Sequence, residues 1–360
     1  MEIPLGVIAL CIAAYYVLRY IWELIPVDNL SRKAVFISGC DTGFGRALAL
    51  RCARAGLTVF AGCYTTEGAT SLTAEAKGKL VITVPLDVTK DESVQEARKF
   101  VIENMPKGVR LWAVVCNAGV FSVYGPDDWT SVEDYRTSIE VNTFGVIRCV
   151  QTFMDLIKDS EGRVIAMSSV AGRTSIPFGA PYAVAKYGVE AYMDALRMET
   201  HFHNVKCSII EPGIFKTSIL DENAMNARVD KVWSRLSERT KEEWGEKYKD
   251  EFKSNWSDTC HSIGSTNIDW VIESYFHAIS AKYPRNRYAC GYDAVFFWLP
   301  MSFLDSHLVD AFRRYVAGSG TYPAAVEKKL KAAEVARISR IDRLFEMTEA
   351  LANKIQTYLN

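Results

Sequence analysis

The sequence predicts an α/β fold, in which a doubly wound parallel sheet carries helices on both faces and a helical C-terminal region covers the substrate. Two observations lead to this prediction. Six short apolar runs alternate with segments of helical length, a pattern typical of βα units. The runs are residues 34–38, 58–63, 80–86, 111–116, 163–168 and 206–211. A glycine-rich turn follows the first run and leads into a helix-like segment, as at nucleotide-binding crossovers.

The composition limits the class of protein. The chain has 360 residues, of which 49% are hydrophobic, and a formal net charge of -1. Such a chain can bury a large core, and its near-neutral balance argues against nucleic-acid binding. Nine cysteines cannot all be paired, and no Cys or His spacing matches a zinc site. We therefore predict no metal centre and mainly buried, reduced thiols.

The glycine turn contains Gly39, Gly43 and Gly45. Glycines at the entrance to a helix permit a tight bend and let a pyrophosphate approach the backbone, where the helix N-terminus favours an anion. The spacing G-x-x-x-G-x-G differs from the commoner dinucleotide fingerprint G-x-G-x-x-G. A simple turn without a ligand would fit the same letters, so both interpretations stay open on this motif alone.

Tyr182 and Lys186 are four residues apart in a helix-like segment and would share one face. A phenol has a pKa near 10, too high for a base at neutral pH, and a nearby ammonium group favours the phenolate. The same spacing also occurs on ordinary helix surfaces.

The order of motifs along the chain is more specific. After the glycine turn come Cys116-Asn117-Ala118-Gly119, Asn142, Met167-Ser168-Ser169, the Tyr182 and Lys186 pair, and Glu211-Pro212-Gly213. Over residues 32–316 the chain resembles the short-chain dehydrogenase/reductase family, in the branch of microsomal retinol dehydrogenases, hydroxysteroid dehydrogenases and mitochondrial 3-hydroxybutyrate dehydrogenase. The resemblance implies a Rossmann-type sheet and the interconversion of alcohols and ketones.

The resemblance also assigns catalytic roles. Tyr182 would be the general acid/base for the substrate oxygen, and Lys186 would lower its pKa and hold the nicotinamide ribose. Ser169 would donate a hydrogen bond to the substrate oxygen, with its neighbour Ser168 as the weaker alternative. Asn142 would position a water for the proton relay, a role compatible with satisfying a helix kink.

The resemblance implies a nicotinamide cofactor, and the residues near the expected ribose site favour NAD over NADP. The end of the second strand, residues 61–67, contains no Arg or Lys for a 2′-phosphate, although the acid expected for a ribose hydroxyl is also missing at Cys63. Asp87 would contact the adenine edge and Thr217 the carboxamide. The full implied set is Ser38, Gly39, Asp41, Gly43, Phe44, Gly45, Asp87, Asn117, Gly119, Tyr182, Lys186, Pro212, Gly213 and Thr217.

Both ends of the chain extend past this domain. Residues 1–25 contain an apolar segment, Ile3 to Leu18, that is followed by Arg19 and predicts a membrane anchor; a cleaved signal peptide or a buried helix is the alternative. We expect the dehydrogenase domain over residues 28–320, with residues 215–320 covering the substrate. Residues 321–360 predict an amphipathic helical tail, which could pack on the domain, pair with a second copy or lie on a membrane. The apolar run 295–304 fits either a wedge that dips into a membrane or a helix that closes the core.

The expected function is hydride transfer between NAD and a hydrophobic alcohol, either a 3- or 17-hydroxysteroid or retinol. The resemblance, together with the predicted anchor, implies the endoplasmic reticulum membrane as the location and leaves open on which side the catalytic domain lies; a homodimer is one expected assembly. Two alternatives stay open. The chain could be a 3-hydroxybutyrate-type dehydrogenase, which needs a cation for the substrate carboxylate, or a non-catalytic lipid-binding protein of the same fold.

Overall fold

The structure is a computed structural model that describes residues 5–78, 80–175, 177–317, 322–334, 340 and 347–348. In these residues, seven parallel strands form one sheet in the order β3-β2-β1-β4-β5-β6-β7. The strands are β1 (Lys33–Ser38), β2 (Thr58–Cys63), β3 (Val81–Pro85), β4 (Arg110–Cys116), β5 (Arg163–Met167), β6 (Lys206–Pro212) and β7 (Arg287–Cys290). The predicted doubly wound sheet is confirmed. The seventh strand had not been predicted, because its four residues form no apolar run.

Helices connect the strands and continue after β7. They are α1 (Leu5–Glu23), α2 (Gly43–Arg54), α3 (Thr66–Ala76), α4 (Asp91–Glu103), α5 (Val132–Ile139), α6 (Gly145–Asp159), α7 (Ala180–Glu199), α8 (Glu222–Ser234), α9 (Glu238–Trp244), α10 (Glu246–Ile263), α11 (Asp269–Ser280), α12 (Leu299–Met301) and α13 (Ser306–Ala317).

The sheet is buried on both faces. Phe153 of α6 and Met193 of α7 belong to the cluster on one face, and Leu48 of α2 and Tyr275 of α11 belong to the cluster on the other. Successive residues of β1 alternate between these clusters, as the two-residue period of a strand requires. Two covered faces explain why the strands read as continuous apolar runs.

The strand order reverses between β1 and β4. In open α/β sheets, ligands bind at the carboxyl ends of the strands beside such a reversal. β1 ends at Ser38 and β4 at Cys116, so the motifs that follow these two strands lie at the expected binding edge.

The segment around Asn142 is not one regular helix. A π-helical turn, Glu140–Phe144, separates α5 from α6 and contains Asn142, whose side chain is fully buried. A π-helical turn inserts an extra residue into the helical repeat and is often found at functional sites.

The N-terminal helix α1 exposes apolar side chains such as Leu10 and Tyr16 along its length. Its last turn is held by Glu23, a buried carboxylate that accepts hydrogen bonds from Arg19 at 2.9 Å and from Arg285 at 2.7 Å. The predicted anchor coincides with this helix. Within the described part of the chain, no helix is long and apolar enough to cross a membrane.

The apolar run 295–304 has a mixed environment. It forms a second π-helical turn, Ala294–Trp298, followed by α12. Ala294 and Met301 are buried, whereas Phe296 and Phe303 are 73% and 79% exposed. The run is therefore neither wholly buried nor wholly exposed, and both interpretations stay open.

The chain divides into two compact units. One contains residues 1–232 and 259–305, and the other contains residues 233–258 and 306–360. The second unit includes α9, α13 and a helical stretch over residues 324–334. Within it, the indole of Trp233 donates to Glu246 at 3.0 Å, and Lys247 pairs with Glu327 at 3.7 Å. The apolar positions predicted for the tail, Ile341 to Leu359, lie outside the described residues.

Candidate active site

The three glycines of the turn between β1 and α2 are required by backbone conformation or by close neighbours. Gly39 and Gly43 have φ values of +72° and +62°, and a Cβ atom on Gly45 would lie 2.2 Å from the carbonyl oxygen of Gly39. The side chain of Thr42 does not cap α2; its hydroxyl instead lies 3.1 Å from that of Ser218. Uncapped N–H groups at a helix N-terminus favour an anion. The turn therefore fits the pyrophosphate of a dinucleotide.

Ser38 and Asn117 connect this turn to the end of β4. The Ser38 hydroxyl accepts hydrogen bonds from the backbone N–H groups of Asn117 and Ala118, both at 3.0 Å. The Asn117 side-chain amide donates to the carbonyl oxygens of Ser38 at 3.1 Å and Gly39 at 3.0 Å. Both predicted residues therefore shape the turn through contacts with its backbone.

Asp41 connects the glycine turn to the end of β2. Its Oδ2 accepts a hydrogen bond from the backbone N–H of Tyr64 at 2.9 Å, and its Oδ1 accepts from the backbone and hydroxyl of Thr65 at 2.8 and 2.7 Å. A Cβ atom on Gly68 would lie 2.5 Å from Oδ1. The Asp41 carboxylate, which belongs to the glycine turn, therefore lies beside the end of β2. The position there that would carry an acid for a ribose hydroxyl is occupied by Cys63.

Two further predicted cofactor residues have local contacts. The ring of Phe44 packs edge-on against Phe215, with 5.8 Å between the centroids. Asp87 follows β3, and its Oδ1 accepts hydrogen bonds from the backbone and hydroxyl of Thr89 at 2.9 and 2.7 Å. Both residues thus lie on segments that follow the carboxyl ends of strands.

The Pro212-Gly213 segment at the end of β6 is fixed by Asp293, which sequence reasoning missed. The Asp293 Oδ2 accepts a hydrogen bond from the backbone N–H of Ile214 at 2.8 Å. A Cβ atom on Gly213 would lie 2.1 Å from the same oxygen, so only glycine fits there. Thr217 follows in a turn closed by a hydrogen bond from Leu220. No sequence signal links Asp293 to this segment, because 79 residues separate Asp293 from Ile214.

Tyr182 and Ser169 are brought together by the segments after β5. Ser169 precedes the 3-10 turn Val170–Gly172, and its hydroxyl accepts from the backbone N–H of Ala171 at 3.2 Å. Tyr182 lies in the first turn of α7, and the Ser169 side chain is close enough to its phenol to lower the phenol pKa. The predicted pair therefore lies in one site.

Lys186 and Asn142 lie on either side of Gly119. A Cβ atom on Gly119 would be 2.8 Å from Asn142 Oδ1 and 3.6 Å from Lys186 Nζ. Asn142 accepts from the backbone N–H of Val120 and donates to its carbonyl oxygen, both at 2.9 Å. The Lys186 ammonium donates to the carbonyl oxygen of Met167 at 2.9 Å. The amide of Asn142 thus holds the π-helical turn against the segment after β4.

Burial dominates the acid-base behaviour of Tyr182 and Lys186. It raises the pKa of Tyr182 to about 12, and the interaction with the Ser169 side chain acts in the opposite direction. Burial also lowers the pKa of Lys186 to about 8, and the charge of Glu190 opposes this change. The Lys186 charge, which was expected to lower the pKa of Tyr182, is not among the causes acting on the phenol. Tyr182 is therefore a phenol, and not a phenolate, at neutral pH.

An aromatic cluster lies beside Tyr182. The ring of Phe121 stacks on the ring of Tyr182 with 4.8 Å between centroids, and Tyr124 and Phe178 continue the cluster in edge-to-face contacts. The guanidinium carbon of Arg228 in α8 lies 6.0 Å from the centroid of Phe121. Sequence reasoning missed this group, although two aromatic residues follow closely on Gly119. A flat apolar molecule could rest against such a wall.

No group of three or more His, Cys, Asp or Glu side chains that could hold a metal occurs among the described residues.

Comparisons with known proteins identify the family. Residues 33–227 match the family model for short chain dehydrogenases. A 3beta-hydroxysteroid dehydrogenase of Caenorhabditis elegans, dhs-16, is 42% identical over 308 residues, which cover 84% of this chain and 79% of the relative. Human retinol dehydrogenase 16 is 38% identical over 313 residues, or 87% of this chain and 97% of the relative.

A solved structure shows the same fold. The short-chain dehydrogenase/reductase of Burkholderia phymatum, determined in complex with NAD, aligns with a TM-score of 0.64 and covers 80% of this chain and 97% of its own. Its 21% sequence identity supports the fold alone. The motifs, the fold and the two relatives together show that this chain is an enzyme of the short-chain dehydrogenase family, in the branch of the hydroxysteroid and retinol dehydrogenases.

Proposed function

We propose that the protein transfers hydride between NAD and a hydrophobic alcohol, which is a 3- or 17-hydroxysteroid or retinol. The observation that carries this proposal is the proximity of the partly buried Tyr182 to the buried Ser169, with Lys186 and Asn142 beside Gly119. A phenol, a hydroxyl and an ammonium group at the carboxyl edge of the sheet suit proton exchange with an alcohol oxygen.

Each side chain has one role in this proposal. Tyr182 exchanges a proton with the substrate oxygen, and Ser169 donates a hydrogen bond to that oxygen, where negative charge develops. Lys186 holds the ribose hydroxyls, and Asn142 positions a water beside Lys186. When bound, the nicotinamide ring supplies or accepts the hydride.

The cofactor would be held by backbone groups of the glycine turn and by the segments after β3, β4 and β6. Those residues are Ser38, Gly39, Asp41, Gly43, Phe44, Gly45, Asp87, Asn117, Gly119, Pro212, Gly213 and Thr217. Asp41 supports NAD over NADP, because a carboxylate at the end of β2 repels a 2′-phosphate. Arg46, a nearby cation, is already paired with Glu75 at 2.7 Å.

The aromatic wall of Phe121, Tyr124 and Phe178 supports a flat, apolar substrate. The names of the relatives, a 3beta-hydroxysteroid dehydrogenase and a retinol dehydrogenase, point to the same class. Sterols and retinol are both long, apolar alcohols that an aromatic surface can bury.

Such substrates partition into lipid, so the proposal includes contact with a membrane, which we place at the endoplasmic reticulum. The exposed apolar side chains of α1, together with Phe296 and Phe303, suit a lipid surface. Flotation with phosphatidylcholine vesicles should carry the protein to the lipid fraction; protein that stays in the dense fraction would contradict this part. A homodimer belongs to the same proposal and is tested by light scattering.

One observation favours a second candidate, the 3-hydroxy acid dehydrogenase. Arg228 is a cation beside the wall, and a carboxylate substrate needs such a group. The Nη1 of Arg228 already donates to the carbonyl oxygen of Ile219 at 2.7 Å, which supports a role in holding the loop after β6.

The test follows NADH fluorescence while the purified protein and NAD are supplied in turn with 3- and 17-hydroxysteroids, retinol and 3-hydroxybutyrate, with NADP in parallel. We expect turnover of one lipid class with NAD. Turnover of 3-hydroxybutyrate alone would establish the second candidate. Cofactor binding without turnover of any alcohol would instead favour a non-catalytic lipid-binding protein.

A further inference from the structure

Lys186 lies in an environment that opposes its charge. The residue is 2% exposed, and burial lowers its pKa to about 8. A buried ammonium group requires an opposite charge to stay protonated. Tyr182 cannot supply that charge at neutral pH, because its own pKa is raised to about 12.

Glu190 is a buried carboxylate that the mechanism above does not use. It lies one helical turn after Lys186 on α7, so both side chains project from the same face. Only 5% of Glu190 is exposed. The same helix face therefore presents the acid-base tyrosine, the lysine and a carboxylate in successive turns.

The other charges around Glu190 come from neighbouring elements. Its Oε2 pairs with Arg287 of β7. Arg287 also pairs with Glu211 of β6 at 3.0 Å and with Asp194 of α7 at 2.6 Å, and Arg173 pairs with Glu211 at 3.0 Å. Burial and the charge of Glu211 raise the pKa of Glu190, whereas Ser168 and Arg287 lower it.

Two arginines thus hold the carboxylates of this cluster. Arg287 is the bridge, because it contacts Glu190, Glu211 and Asp194. The buried Oε1 of Glu190 has no hydrogen-bond partner of good geometry among the described residues, although the Ser168 hydroxyl is close enough to lower its pKa. One carboxylate oxygen is thus bound to Arg287, and the other is left without a strong partner of its own.

We propose that Glu190 is the counter-charge that keeps the Lys186 ammonium group protonated inside the core, and that Arg287 in turn keeps Glu190 ionised. Glu190 is then a positioning residue, which acts on the substrate only through Lys186. This inference rests on the proposed function for its effect on turnover, but the charge state of Lys186 can be measured independently.

The competing interpretation is structural, since the same ion pairs connect α7 with β6 and β7. If Glu190 had only this structural role, its replacement would lower the stability of the protein and leave the protonation of Lys186 unaltered. The two roles are therefore separated by the titration of Lys186.

The test compares the wild type with Glu190→Gln, which keeps the shape of the side chain and removes its charge. Cyanate modifies only the neutral amine, so the rate at which Lys186 is carbamylated, measured by mass spectrometry against pH, reports its protonation. We expect the midpoint to fall by about one pH unit in E190Q, as for the loss of a nearby opposite charge. Asp194→Asn is the matched control, because Asp194 contacts the same arginine and lies two helical turns from Lys186. The Lys186 midpoint in D194N should shift less than half as much as in E190Q.

Glu190→Met provides a second variant in case E190Q does not fold. It also removes the carboxylate charge and needs no hydrogen-bond partner, so the Lys186 midpoint should again fall. An unchanged midpoint in whichever of the two variants folds, or an equal shift in D194N, would overturn the proposal. If the wild type turns over no alcohol, the proposed function fails, but the carbamylation curves still decide the role of Glu190.

Discussion

Asp41 and Thr65 are joined by two hydrogen bonds, since the backbone N–H and the hydroxyl of Thr65 both donate to Oδ1 of Asp41, at 2.8 and 2.7 Å. Asp41 belongs to the glycine turn, whereas Thr65 follows the end of β2. The contact holds a negative charge beside the end of β2, the region where dinucleotide-binding sheets carry the acid that selects NAD. We propose that Asp41, which lies 22 positions before Cys63, takes the place of the acid that is absent from the end of β2.

The first prediction concerns this charge. We expect Asp41→Asn to raise the ratio of kcat/KM with NADP to kcat/KM with NAD by about fivefold, because two charges about 4 Å apart in water interact with roughly 1 kcal/mol. Glu67→Gln, an exposed acid on α3, is the control and should leave the ratio as it is. A rise of the same size in E67Q, or none in D41N, would show that Asp41 does not select the cofactor.

Asn142 should affect stability as well as turnover. Its amide makes two hydrogen bonds with the backbone of Val120, and the loss of such buried bonds costs about 1 to 3 kcal/mol. Asn142→Ala should therefore lower the free energy of unfolding in urea by that amount, whereas Gln95→Ala, an amide on α4, should have little effect. A loss of turnover in N142A with unchanged stability would contradict the structural part of its role.

The pH dependence should differ between the two reaction directions. Because burial raises the pKa of Tyr182 to about 12, the phenol is protonated at neutral pH and can donate its proton during carbonyl reduction. Alcohol oxidation needs the phenolate, whose fraction rises about tenfold per pH unit below the pKa. Between about pH 6 and 8, kcat/KM should therefore rise with pH for oxidation and stay flat for reduction. If kcat/KM for oxidation stayed flat while kcat/KM for reduction fell as pH rose, Tyr182 would already be ionised in this range.

Arg228 distinguishes the two substrate classes. If it held a substrate carboxylate, Arg228→Met would lower turnover of 3-hydroxybutyrate by about tenfold or more relative to a hydroxysteroid, the value of a charge-assisted hydrogen bond. Our account instead predicts a similar change for both substrates, because Arg228 holds the loop through Ile219. Relative rates of the two substrates in wild type and R228M decide the matter.

The fold could be predicted from the sequence because buried parallel strands produce continuous apolar runs, and the first six strands do so. β7 was not predicted because Arg287 and Tyr288 interrupt its apolar run. Both side chains make polar contacts in the structure, Arg287 with Glu190 and Tyr288 with His277. Local patterns therefore identify strands whose side chains enter the apolar core and miss strands whose side chains make polar contacts.

Part of the candidate site could be proposed from the sequence because spacing along the chain places Tyr182 and Lys186 on one helix face. Other contributions depend on contacts between distant segments. Asp41 reaches the end of β2, Asp293 fixes the segment after β6, and Glu190 meets Arg287 of β7. Such contacts leave no periodic signal, so only the folded chain reveals them.

The most direct test of the account is the initial rate of NADH formation by Tyr182→Phe, with a hydroxysteroid or retinol that the wild type oxidises. We expect turnover to fall by at least about 100-fold, the contribution of a general acid/base, while NADH binding, measured by fluorescence, is retained. Tyr187→Phe, a partly exposed phenol on the same helix, should keep wild-type turnover. Undiminished turnover in Y182F would contradict the assignment of Tyr182 as the proton-exchanging group, and with it the proposed mechanism.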